Sequence, residues 1–215
     1  MEIKDTEKLV KTGTTTIGIM CKDGIVLAAD KRSSAGYMVA NKKQVKIVQI
    51  SDKMAVTQAG LVSDAQLLSR IAKAEIKLKD VQTNRNTSVK EAANILAGLL
   101  YSNIRRMSMV PGIVGFLLGG ADDEGYHLYE LGVDGSVTKF DDFVSDGSGS
   151  VFALGVLESE YRKGLTIEDG IELAVKAISS ALKRDMATGN GIDVIKITQK
   201  GVEKVFTKEL KQALE

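Results

Sequence analysis

Two short apolar, β-prone runs begin the patterned part of the chain, Thr15 to Cys21 and Ile25 to Ala29, with Lys22-Asp23-Gly24 between them. Asp-Gly at such a gap is a strong hairpin signal, because the turn needs positive φ values that Asp and Gly tolerate. Val45 to Ile50 and Met54 to Gln58 repeat the arrangement around Ser51-Asp52-Lys53. The period then changes. Leu67, Ile71, Ala74 and Leu78 recur at helical spacing with charges between them, which predicts a helix with those residues along one face. Thr83-Asn84-Arg85-Asn86-Thr87 breaks it. Ser88-Val89-Lys90-Glu91 is a capping-box pattern, and it opens a second helix with Ala93, Leu96, Leu100 and Ile104 in register. Pro111-Gly112 ends the helical region. Strands are predicted over Ile113 to Leu118, Tyr126 to Leu131 and Ser136 to Phe140, with glycine turns at Gly119-Gly120 and Gly132 to Gly135. Ser145-Asp146-Gly147-Ser148-Gly149-Ser150 leads into a helical stretch through Leu157. A second capping box, Thr166 to Asp169, opens a helix with Ile167, Ile171, Ala174, Ile178 and Leu182 on one face. Ile192 to Thr198 and Val202 to Phe206 read as a last hairpin around Lys200-Gly201. Residues 207–215 are polar and are expected to form a short helix or to fray.

The order is therefore strands, a helix pair, strands, a helix pair, strands, with no linker and no internal repeat. Such blocks suggest two packed antiparallel sheets covered by helices on their outer faces. Periodicity alone supports only α and β in blocks. The aliphatic and Met faces of the helices can serve either the core or contacts with other subunits.

A length of 215 residues suits one domain with ample core. The formal net charge of +1 argues against a broad attraction to nucleic acid or an anionic membrane. No apolar run is long enough to span a bilayer. The leader from Met1 to Lys8 mixes charges and lacks an apolar h-region, so it reads as a pro-segment or tail and not as a secretory signal. Cys21 is the single cysteine, which rules out an internal disulfide, suits a reducing compartment and reads as a buried, inert thiol. His127 is the single histidine. It falls in an alternating strand and reads as structural, which argues against a zinc cluster and against Ser-His-Asp chemistry.

A hydrolase built on this chain would work without histidine, and Lys11-Thr12-Gly13-Thr14-Thr15-Thr16 offers a way. A cut after Gly13 would leave Thr14 with a nucleophilic hydroxyl and a free α-amine on one residue. The amine, with a pKa of about 7.7–8.0, can take the proton that an imidazole takes elsewhere. Taken alone, Thr14-Thr15-Thr16 reads more readily as a strand opening, since threonine favours strands.

Later blocks bear on that choice. They are Ala28-Ala29-Asp30-Lys31-Arg32, Lys46, Ala59-Gly60-Leu61-Val62-Ser63-Asp64-Ala65-Gln66, Gly147-Ser148-Gly149-Ser150, Gly155-Val156-Leu157-Glu158, and Lys183-Arg184-Asp185-Met186-Ala187-Thr188-Gly189-Asn190-Gly191. Together, in this order, they resemble the β-type subunits of the 20S proteasome, most closely the archaeal kind, over Gly13 to about Phe206. The resemblance implies an α+β chain with the N-terminal-nucleophile hydrolase fold, a four-layer αββα sandwich of two antiparallel sheets flanked by helices. It implies a propeptide over residues 1–13, removed by autocleavage between Gly13 and Thr14, and a single catalytic domain over residues 14–215.

Residue by residue, the resemblance makes Thr14 the nucleophile, Asp30 and Lys46 the catalytic carboxylate and lysine, and Gly60 the oxyanion donor through its backbone N–H. Ser148 and Asp185 would support the terminal amine, with Thr188 standing where many relatives carry serine. Ser33, Val48, Gln58 and Val62 would line the substrate pocket. Gln58 is polar where relatives often have an apolar side chain, which leaves the cleavage preference open. No metal or cofactor is implied. The implied partners are proteasome α subunits and other β subunits in stacked heptameric rings, regulatory ATPases acting through the α ring, and unfolded polypeptides, in the cytoplasm. A structural β subunit that cuts nothing is the competing reading. A simpler bacterial two-ring protease fits the Gly-Ser-Gly-Ser and Arg-Asp-x-x-Thr-Gly blocks less well, and an α-type subunit would need a different leader.

Overall fold

A computed structural model describes residues 13–209. The leader before Gly13 and the expected helix or frayed end over residues 210–215 lie outside the described residues. In chain order the strands are β1 (Thr16–Cys21), β2 (Gly24–Asp30), β3 (Ser33–Ala35), β4 (Met38–Asn41), β5 (Ile47–Ser51) and β6 (Met54–Gly60). Helices α1 (Val62–Thr83) and α2 (Val89–Arg105) follow, then β7 (Val114–Asp122), β8 (Gly125–Leu131), β9 (Val137–Phe140) and β10 (Phe143–Asp146). Helices α3 (Ser150–Glu160) and α4 (Ile167–Arg184) precede β11 (Gly191–Thr198) and β12 (Gly201–Glu209).

The strands form two five-stranded sheets, β10-β1-β2-β11-β12 and β5-β6-β7-β8-β9, with every pairing antiparallel, and β3 and β4 form a separate hairpin. Three apolar clusters set the layers. Ile17, Ile19, Val26 and Val194 meet Leu157, Ala174 and Ile178 where α3 and α4 cover the first sheet. Val56, Phe116 and Leu118 meet Leu68, Ile76 and Leu96 where α1 and α2 cover the second. Ile25, Leu27, Leu117, Leu128 and Ile197 fill the space between the sheets. The result is the four-layer αββα sandwich. Alternation along the central strands β2 and β7 sends successive side chains to the helix layer and to the opposite sheet, so both of their faces are apolar and their burial is nearly complete.

Both capping boxes are present. Ser88 Oγ accepts from Glu91 N and Thr166 Oγ1 accepts from Asp169 N, and each acid accepts from its cap's backbone N–H in return. Four expectations need correction. The β3–β4 hairpin and β10 were not predicted, because three- and four-residue strands carry too little alternation to read. Gly119-Gly120 is not a turn but the interior of β7. A Cβ on Gly119 would lie 3.1 Å from Ile197 Cδ1 and from Ile25 Cγ2, so glycine there admits the first sheet's side chains. Leu67 and Leu78 lie on the exposed side of α1, while Ala65, Leu68, Ala72 and Ile76 face the second sheet. Residues 207–209 continue β12.

Candidate active site

The strand pairing assembles the site at one end of the sandwich. β1 and β2 pair with Thr16 opposite Ala29, which brings Thr15 beside Asp30, and Thr15 N donates to Asp30 Oδ1 at 3.0 Å. Thr14 is the residue two before β1. Lys46 precedes β5, in the other sheet, where its carbonyl accepts from Gln58 N at 2.9 Å. Its side chain reaches Asp30 Oδ1 at 2.6 Å, Thr14 Oγ1 at 3.0 Å and the Gly13 carbonyl oxygen at 3.3 Å. Thr14 Oγ1 itself donates to the Gly13 carbonyl at 2.7 Å.

Thr14, Asp30 and Lys46 are all buried. Asp30 Oδ2 accepts from Arg32 N at 2.9 Å and Gly189 N at 3.0 Å, so with Thr15 N and Lys46 Nζ on Oδ1 the carboxylate is held by four donors. Burial pushes the Lys46 amine below an ordinary lysine's pKa, because desolvation disfavours its charge, and the Asp30 carboxylate opposes that shift. A lysine so placed can polarise a neighbouring hydroxyl and can give up or take a proton near it.

A second group approaches Thr14 from the loop between β10 and α3 and from the end of α4. Thr14 N donates to Ser148 Oγ at 3.3 Å, and Ser148 Oγ donates to Asp185 Oδ2 at 2.6 Å. Asp185 is the C-cap residue of α4, and the loop after it returns Thr188 Oγ1 to the same carboxylate oxygen. Thr188 Oγ1 also lies 2.6 Å from Thr15 Oγ1. With Thr188 donating to Asp185, Thr15 donates to Thr188, and a directed chain of hydroxyls ends on one acid. Gly147 lets this loop approach. Its φ of +101° is in the left-handed region, and a Cβ there would lie 2.1 Å from the Thr14 carbonyl oxygen.

A small cleft opens beside the hydroxyl. It is lined by Gly13, Thr14, Ser33, Gln44, Lys46, Gln58, Gly60, Val62 and Ala65. Of the residues expected in the pocket, Ser33, Gln58 and Val62 are there, whereas Val48 packs against the apolar cluster under α1 and α2. Gly60 ends β6 with φ +111° and borders the cleft. Sequence reasoning missed Gln44 and Ala65 in the lining and Thr15 in the hydroxyl chain. The signal for Thr15 was its place next to Thr14 in the chain; Gln44 had none.

His127 takes no part in these hydrogen bonds. It sits on β8 with Nε2 3.1 Å from Asp122 Oδ1. Cys21 is buried, and burial, with the nearby Asp23 carboxylate, pushes its thiol up to about 12. Among the described residues no helix is long and apolar enough to cross a membrane.

Residues 10–197 match the protein family described as "Proteasome subunit". Named relatives cover nearly the whole chain. "Proteasome subunit beta" of Archaeoglobus profundus is 43% identical over 99% of this chain and 96% of its own length. "Proteasome subunit beta" of Archaeoglobus fulgidus is 43% identical over 97% of this chain and 95% of its own length. "Proteasome subunit beta 1" of Thermococcus kodakarensis is 43% identical over 98% of this chain and 100% of its own length.

Proposed function

The chain belongs to the proteasome subunit family, and within it we propose that this is a catalytic β subunit, a threonine endopeptidase that frees its own nucleophile. The observation that carries the reading is Thr14 Oγ1 at 3.0 Å from a buried lysine amine and 2.7 Å from the carbonyl oxygen of the preceding residue. Attack of Thr14 Oγ on the Gly13 carbonyl carbon would transfer the Gly13 acyl group from nitrogen to oxygen. The hydroxyl proton leaves through Lys46 or water, and the nitrogen becomes an amine. Water then hydrolyses the ester. Residues 1–13 leave with a carboxylate on Gly13, and Thr14 keeps its hydroxyl and gains a free amine.

The same groups then serve substrates. The Thr14 amine takes the hydroxyl proton, the oxygen attacks a peptide carbonyl, the amine hands the proton to the leaving nitrogen, and water cleaves the acyl ester. Lys46 lowers the cost of the developing alkoxide, and Asp30 holds Lys46. The Gly60 backbone N–H would receive the oxyanion, a donor worth about 3–4 kcal/mol when preorganised. Ser148, Asp185 and Thr188 would hold the terminal amine and the proton network in place. The mature domain would run from residue 14 to 215.

Assembly belongs to the same proposal. The subunit would join α and β subunits in stacked heptameric rings in the cytoplasm, with the threonines facing an inner chamber. Regulatory ATPases at the α ring would supply unfolded polypeptide.

The test is the intact mass of the chain after co-production with proteasome α subunits. A mass matching residues 14–215, with Thr14→Ala retaining the leader and hydrolysing no fluorogenic peptide, supports the reading. A wild-type particle that assembles, keeps Met1 and cleaves nothing makes the chain a structural subunit of the ring.

A further inference from the structure

Gln58 is the polar side chain at the back of the cleft, and its amide is fixed in one orientation. It projects from β6 toward α1, on the same face of the sheet as Met54 and Val56. Its Nε2 lies 3.0 Å from Ser69 Oγ and 3.4 Å from the Ala65 carbonyl oxygen. Ser69 Oγ in turn donates to the Gln66 carbonyl at 3.3 Å, so it meets Gln58 as an acceptor. A carbonyl oxygen can only accept. The flipped amide would set two oxygens against each other at Ala65 and leave Ser69 without its role. Both N–H donors of Gln58 are therefore used inside the protein.

The other end of the amide is unused. Among the described residues Gln58 makes its side-chain hydrogen bonds through Nε2, and none is made to Oε1. Gln58 is 7% exposed and lines the cleft together with Gly13 and Thr14. With Nε2 engaged by Ser69 and Ala65, the Gln58 carbonyl is the end of the amide that no described residue uses, on a residue that lines the cleft. Val62 and Ala65 are the apolar side chains of the lining, Ser33 and Gln44 are neutral and polar, and among the described residues no Asp or Glu lines the cleft. The nearby cation, Lys46, is held by Asp30.

We propose that Gln58, oriented by Ser69, selects substrates whose residue before the cleaved bond carries a neutral hydrogen-bond donor, asparagine or glutamine. This rests on the proposed peptidase activity. A leucine or methionine side chain entering the cleft strips water from the Gln58 carbonyl and returns nothing, whereas the amide N–H of asparagine or glutamine replaces that water. A lysine or arginine finds no carboxylate and stands near the Lys46 amine. Gln58 would be the residue that touches substrate, and Ser69, buried in α1, a positioning residue behind it.

The experiment uses particles assembled with α subunits and fluorogenic peptides alike except at the residue before the cut. Two pairs match in size, Asn against Leu and Gln against Met, and a Lys peptide completes the set. In the wild type, kcat/KM is expected to favour Asn over Leu and Gln over Met by about tenfold, the worth of one hydrogen bond that would otherwise be lost. Gln58→Leu should reverse both ratios. Ser69→Ala should bring them to within about threefold of one, because the amide is then free to turn, and Ser69→Thr, which keeps the hydroxyl, should restore them.

Leu and Met peptides cleaved as well as Asn and Gln peptides by the wild type would overturn the proposal. So would ratios unmoved by Gln58→Leu. The wild-type ratios stand even where a variant does not assemble. Cleavage of no peptide at all would remove the peptidase reading itself, and this selectivity with it.

Discussion

Lys46 Nζ lies 2.6 Å from Asp30 Oδ1; Asp30 ends β2 in one sheet, and Lys46 immediately precedes β5 of the other. The pair crosses between the layers of the sandwich and holds the amine against Thr14 Oγ1. Lys46→Ala should remove leader cleavage and lower peptide hydrolysis by about 10²–10⁴-fold, the range for losing a positioned proton-transfer group. Asp30 keeps backbone N–H donors from Thr15, Arg32 and Gly189. The fold should therefore survive with a loss of about 1–3 kcal/mol. Intact mass and a urea titration measure the two effects separately.

Thr188 Oγ1 lies between Asp185 and Thr15, so its hydroxyl can be tested apart from its volume. Thr188→Val should leave Thr15 Oγ1 without its side-chain partner and cost about 1–3 kcal/mol. Peptide hydrolysis should fall as Asp185 shifts. Thr188→Ser should keep both stability and turnover near the parent values. Equal melting temperatures for the Val and Ser variants would remove the hydroxyl chain from the account.

Gly147→Ala should damage the site by strain alone. The new methyl would meet the Thr14 carbonyl oxygen at a left-handed φ. We expect a loss of about 1–3 kcal/mol and a fall in turnover that exceeds any change in KM. Gly155→Ala is the control, because a Cβ there meets nothing within 4 Å. Calorimetry and steady-state kinetics on the two variants decide it.

Cys21 should resist alkylation in the folded protein at pH 9 and react on unfolding. Burial raises the folded thiol to about 12, while an unfolded cysteine ionises near pH 8.5. Above that value the unfolded chain releases a proton that the folded chain keeps. The thiol's contribution to stability is therefore complete below about pH 8.5 and is lost as pH rises toward 12. Rapid modification of native protein by iodoacetamide at pH 9 would contradict the burial.

Leu67 and Leu68 are neighbours on α1 with opposite surroundings, 44% and 5% exposed. Leu68→Ala should cost the isolated subunit about 2–5 kcal/mol, since it empties a place against the second sheet. Leu67→Ala should cost less than about 0.5 kcal/mol. Thermal melts of the two variants separate the faces, and a larger loss for Leu67→Ala would mean that the helix is rotated.

Much of the architecture was legible because it is written in local signals. Asp23-Gly24 marks the β1–β2 turn, Ser88 with Glu91 and Thr166 with Asp169 start two helices, and alternation marks most strands. The two sheets and their helix pairs followed from block order and the family resemblance. Thr14, Asp30, Lys46, Ser148, Asp185 and Thr188 were named from that resemblance. Their convergence depends on strand register, which short-range patterns do not encode. Gly119-Gly120 misled for the same reason. A glycine's local meaning is a turn, whereas here side chains of the opposite sheet crowd the missing Cβ's place at Gly119, and Val89 of the covering helix does so at Gly120.

What the chain by itself determined is therefore where the capped helices begin and where the longer hairpins turn, since caps, turns and alternation act within a few residues. Only the tertiary structure decided which stripe of α1 faces the core, because apolar residues on two faces satisfy the same period. It alone placed Val48 under the helices and Gln44 at the cleft. It alone fixed the orientation of the Gln58 amide, since that orientation depends on a serine on a neighbouring helix and on a carbonyl that can only accept.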